Sequence, residues 1–112
     1  MTPVPFVEVP YGDSTLKLVV DIAHAKAICF AFSGMLPAWK SVESLNISGY
    51  ATIIKIGSTS GNALTAFSLG IPITGVADVE ETIFAMGVHG FTQPLDKYLN
   101  LLATGGKETI EA

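Results

Sequence analysis

The chain has no arginine, and its basic residues are six lysines, Lys17, Lys26, Lys40, Lys55, Lys97 and Lys107, spread without a cluster. Nucleic-acid binding draws most of its affinity from a basic stripe laid along phosphates. No such stripe exists here, so no nucleic-acid partner is expected. The missing guanidinium also removes the planar fork that grips carboxylates and phosphates through two parallel hydrogen bonds. An anion site in this chain has to use backbone N–H groups, hydroxyls or a lysine.

Cysteine is almost absent. Cys29 stands alone, which excludes an intrachain disulfide framework. With Cys29, His24 and His89 as the only soft ligands, no zinc site within one chain, and no cofactor, is expected. Long apolar runs are missing too. The longest, residues 27–32, lies between Lys26 and Ser33, far short of the ~18 residues of a membrane span. The opening MTPVPFVEVP carries neither a charged n-region nor an apolar h-region, so the expected location is cytoplasmic, away from membranes. Asn46-Ile47-Ser48 matches a glycosylation sequon, but nothing else points to export.

Charge is scarce. Charged residues make up 14% of the 112 residues while hydrophobic ones make up 49%, and the formal net charge is −4. An average soluble domain carries about 25% charged residues. A chain so poor in charge is expected to hide apolar surface against further copies of itself, as a homo-oligomer. Its length predicts a single globular domain over residues 1–106, followed by a frayed tail at 107–112.

The pattern along the chain predicts an α/β or α+β fold. Phe6-Val7-Glu8-Val9 alternates apolar and polar, Pro10-Tyr11-Gly12-Asp13 is a turn, and residues 15–20 are β-rich: an N-terminal hairpin. Residues 22–32, behind Asp21 as an N-cap residue, predict a helix. Residues 34–49 read as a loop with one helical turn near 40–45. Residues 50–56 form the strongest strand signal. A short helix over 63–69, closed by Gly70, then leads to a second strand at 71–77. A helix follows, with Asp78 and Glu81 as a capping box, running to about residue 88. A last helix begins at Thr92-Gln93-Pro94 and shows Leu95, Tyr98, Leu99 and Leu102 on one side. The strand–helix–strand series implies a right-handed parallel crossover, a β-loop-α-β unit with the two C-terminal helices packed on the sheet. If residues 63–69 are instead a strand, the domain is α+β and the preceding loop is a hairpin turn.

That loop, Gly57, Ser58, Thr59, Ser60, Gly61 and Asn62, is the candidate ligand-binding segment. Under the crossover it lies between a strand end and a helix N-terminus, where free N–H groups and the positive end of the helix dipole suit an anion. Gly61 permits close approach, and Lys55 adds charge if it faces the loop. The spacing is not that of a P-loop or of a dinucleotide fingerprint. Thr59-Ser60-Gly61-Asn62 resembles the substrate-carboxylate loop of the pyridoxal-phosphate-dependent cysteine-synthase family. The likeness spans four residues of 112 and implies only a loop suited to a carboxylate. The same residue types also make an ordinary turn and cap.

His89, at the expected end of the helix that starts at Asp78, is a second candidate ligand-binding residue, or a helix-end residue favoured by the dipole. Asp21 and His24, three apart, are within reach of each other, whereas Cys29 lies about 140° around the helix from His24. No complete nucleophile–base set appears, so catalysis ranks last. The leading expectation is a small oligomeric binding protein holding an anionic metabolite or nucleotide at the 57–62 loop. The alternative is a structural or assembly subunit of a shell, virion or complex.

Overall fold

The computed structural model describes residues 6–59, 62–71 and 75–103. The N-terminal hairpin forms as the alternation predicts. Strand β1 (Phe6–Tyr11) pairs antiparallel with β2 (Ser14–Val19), with Val7 opposite Leu18 and Val9 opposite Leu16. Gly12 takes φ 61° in the turn, a left-handed conformation that costs glycine nothing. Val7, Val9, Leu18 and Val20 are buried beneath the helices.

Helix α1 (Ile22–Phe32) matches its expected bounds. The Asp21 carboxylate accepts the His24 N–H as the N-cap bond, and Ser33 at φ 63° ends the helix. The next segment departs from expectation. Residues read as a loop fold into α2 (Met35–Glu43). Pro37 is harmless there, because the N–H it lacks would have no partner in a first turn.

The larger correction concerns residues 50–56. They are not a strand but the body of α3 (Ile47–Ser58). Asn46 caps it, its side chain accepting the Gly49 N–H at 3.1 Å. Gly49, Tyr50, Ala51, Ile53, Ile54, Ile56 and Gly57 are all buried, because α3 is surrounded by β2, α1, α2, α5 and α6. Covered on most sides, the helix leaves only a narrow polar stripe of Ser48, Thr52, Lys55 and Thr59, and its β-branched run imitates a buried strand.

Helix α4 (Asn62–Ser68) agrees with the expected short helix, and Gly70 follows at φ 100°. The second expected strand fails where it can be seen: Val76 and Ala77 open helix α5 (Val76–Met86), and residues 72–74 lie outside the described ones. Gly75 precedes α5 as its cap residue, so Asp78 is within the first turn and the predicted capping box is not formed. Glu80 instead accepts a hydrogen bond from the Ser48 hydroxyl on α3 at 2.7 Å. A 3₁₀ turn (Val88–Phe91) leads into α6 (Thr92–Ala103), whose Leu95, Tyr98, Leu99 and Leu102 are buried as expected. The expected tail, 107–112, lies outside the described residues.

The architecture is α+β. A two-stranded antiparallel sheet is followed by six α-helices, and among the described residues no parallel crossover is present. Both C-terminal helices reach the hairpin. The Tyr98 hydroxyl donates to the Val19 carbonyl at 2.8 Å, and the Gly12 N–H donates to Met86 Sδ at 3.1 Å. Tyr50 ties α2, α3 and α6 together, its hydroxyl lying 2.8 Å from both the Val42 carbonyl and Thr92 Oγ1.

Candidate functional site

The end of α3 sets the local chemistry of the predicted loop. Gly57 and Ser58 are the last residues of that helix, and Thr59 is its C-cap. Their hydroxyls are already engaged. Ser58 Oγ donates to the Ile54 carbonyl at 2.8 Å, and Thr59 Oγ1 donates to the Lys55 carbonyl at 2.6 Å. The Thr59 bond satisfies a carbonyl that the helix end leaves open, since the Thr59 N–H turns to the Ile56 carbonyl instead. The helix dipole presents its negative end here, the reverse of what an anion prefers. Ser60 and Gly61 lie outside the described residues. Asn62 is exposed at the start of α4.

The Thr59 carbonyl has an unexpected partner. His24 Nε2 lies 2.7 Å from it, and His24 Nδ1 lies 2.6 Å from Asp21 Oδ1. His24 is only 2% exposed. The i, i+3 spacing makes the Asp21–His24 contact readable from sequence, but Thr59 is 35 residues away and no local signal marks it. Desolvation pushes the Asp21 carboxyl upward. The backbone N–H of His24, its ring bond and its charge outweigh that, and hold the carboxyl below its ordinary range. With Nε2 bonded to a backbone carbonyl inside the protein, His24 has no free lone pair to offer a substrate.

His89 is placed elsewhere. Helix α5 stops at Met86, so His89 sits on the 3₁₀ turn rather than at the end of that helix. It is exposed beside a depression of about 700 Å³ shared with Val42, Glu43, Leu45 and Thr92. Among the described residues nothing joins His89 to Gly57, Ser58, Thr59 or Asn62.

A different cleft has the character of a small-molecule site. It encloses about 350 Å³ between α1, α3, α4 and α5, lined by Phe30, Ala31, Thr52, Lys55, Ile56, Phe67 and Val76. The Phe30 and Phe67 rings meet edge to face at 5.3 Å. Lys55 Nζ lies 3.3 Å from where a Cβ on Gly75 would stand, so the ammonium lies across the start of α5. Among the described residues no carboxylate pairs with it. An apolar wall with one cation suits an apolar anion.

The rest of the surface is rich in apolar side chains. Leu69 is 79% exposed, Phe84 75% and Ile22 73%, with Phe30, Leu36 and Ile71 also open. Phe32, Met35 and Trp39, by contrast, pack partly buried against the core. Among the described residues no three metal-ligating side chains come together, and no helix is long and apolar enough to cross a membrane. Comparison with protein-family models, with curated proteins and with solved structures found no match.

Proposed function

We propose that this chain is an assembly subunit, a small protein that works by associating with copies of itself. The observation that carries the reading is the number of large apolar side chains left in water, Ile22, Phe30, Leu36, Leu69, Ile71 and Phe84 among them, on a molecule poor in charge. Scattered exposed leucines are ordinary, but so many large residues together with so little charge favour a buried interface. Association by a self-complementary patch closes such a surface symmetrically.

Light scattering coupled to size-exclusion chromatography tests this. The expected result is a defined oligomer that Leu69→Lys plus Ile71→Lys converts to monomer with unchanged helical circular dichroism. A monomer at the highest soluble concentration of the unmodified chain overturns the reading.

The Lys55 cleft favours a second reading, a binding protein for a small anion. The anion class is that expected from sequence, but the support comes from the cleft rather than from the 57–62 loop. The engaged hydroxyls of Ser58 and Thr59 and the negative helix end weigh against the loop. A carboxylate on an apolar body would place its charge at Lys55 and its body against Phe30 and Phe67.

A further inference from the structure

His24 presents a problem of hydrogen-bond accounting. Each ring nitrogen lies within hydrogen-bond distance of an oxygen, Asp21 Oδ1 at 2.6 Å and the Thr59 carbonyl at 2.7 Å. A backbone carbonyl only accepts, so Nε2 must carry hydrogen. Asp21 Oδ1 already accepts the His24 backbone N–H at 2.9 Å, and its side chain, 40% exposed, keeps enough water to remain a carboxylate. A carboxylate also only accepts, so Nδ1 must carry hydrogen as well. Both contacts are bonds at once only in the imidazolium form. A neutral ring places a bare nitrogen lone pair against an oxygen lone pair on one side or the other.

We propose that Asp21, His24 and the Thr59 carbonyl form a proton-dependent clasp that fastens the end of α3 to the junction between β2 and α1. Protonated, the clasp is closed. Loss of one ring proton breaks one of its two bonds. Thr59 is the C-cap of α3, so the clasp anchors the point where that helix ends. The inference holds whether or not the chain associates.

The surrounding groups leave the ring as the responsive element. Asp21 is the carboxylate bonded to it. From α6, Tyr98 donates to the Val19 carbonyl. Burial, with the charge of Asp21 second, raises its phenol far above the ordinary range, so it stays neutral. Helix α4 carries no charged side chain. Lys26 of α1, Lys40 and Glu43 of α2, Lys55 of α3, and Asp96 and Lys97 of α6 make no hydrogen bond or ion pair with the ring.

The linkage has a definite sign. At the acid end, stability is lost as pH falls through the lowered titration of Asp21, whose carboxylate the clasp also needs.

Nitrogen-15 NMR of the full chain, followed between about pH 5 and 9, tests the clasp across the range where histidine charge changes. Both His24 ring nitrogens are expected to be protonated on the acid side. As the ring loses one proton, hydrogen exchange at the Thr59 amide should rise about tenfold, the scale of losing one charge-assisted bond. His24→Gln should leave Thr59 exchange free of any dependence on ring protonation. A ring with a single proton throughout the range overturns the proposal. So does a ring titration that leaves Thr59 exchange unchanged. Because the NMR readout needs only the unmodified chain, it decides the matter even if His24→Gln does not fold.

Discussion

A single hydrogen atom at Gly57 lets three elements meet. A Cβ there would stand 3.0 Å from both Cβ and Cδ2 of Leu18 and 3.1 Å from Cζ of Tyr98. Leu18 belongs to the hairpin and Tyr98 to α6, and both are fully buried. Neither moves cheaply, since Tyr98 is also held by its bond to the Val19 carbonyl. Gly57→Ala is therefore expected to destabilise the fold by about 1–3 kcal/mol through overpacking, despite alanine's better helix propensity. Urea denaturation measures it, and a neutral or stabilised variant refutes the packing account. The same residue shows how a site assignment goes astray. In sequence, Gly57 beside Ser58 and Thr59 reads as the start of a binding loop. In the fold its smallness serves a helix–hairpin contact, and the hydroxyls that follow close off the helix end.

Among the elements, α3 has the most to say about what a sequence reveals. Its interior holds Ile53, Ile54 and Ile56, residue types that favour strands, and its burial on most sides narrows the polar face by which helices are recognised to Ser48, Thr52, Lys55 and Thr59. The usable signal lay at its start, where Asn46 accepts the Gly49 N–H. Asn46→Ala is expected to cost about 1 kcal/mol, a typical loss for an N-cap. A shift in denaturation midpoint with unchanged m-value checks it, and no shift means that the cap bond carries no net energy. Where one face met water, reading was easier. The hairpin followed from its alternation and turn, and α6 from the stripe of Leu95, Tyr98, Leu99 and Leu102. Helix α2 was hidden by Pro37, which looks like a helix breaker until its first-turn position is known. The start of α5 was misplaced by three residues, with Gly75 rather than Asp78 as its cap, because Asp78 and Glu81 satisfy the capping-box spacing without forming one. Of the candidate site, the Asp21–His24 contact was legible because it is local; the Thr59 and Lys55 environments required long-range packing.

For the molecule as a whole, the apolar surface and the Lys55 cleft make separable claims. Exposed Leu69 and Ile71 concern association, whereas Lys55, Thr52 and Phe67 line a concave space. If the cleft holds an apolar anion, a medium-chain fatty acid serves as probe. Calorimetry is expected to show binding that Lys55→Gln weakens about tenfold, the scale of one charge-assisted hydrogen bond. Equal affinity in the variant, or no binding to the unmodified chain, rejects the cleft as an anion site and leaves the assembly reading standing.

The bond between Tyr98 and Val19 spans 79 residues of chain, and the one between Gly12 and Met86 spans 74. Contacts this distant in sequence close last, after the chain entropy between them has been given up. On the ribosome, the hairpin is therefore made well before α6 and secured only after it. Until α6 has emerged, β1 waits without the helix that packs against it. Translation order makes the nascent hairpin the stretch of this protein most in need of protection.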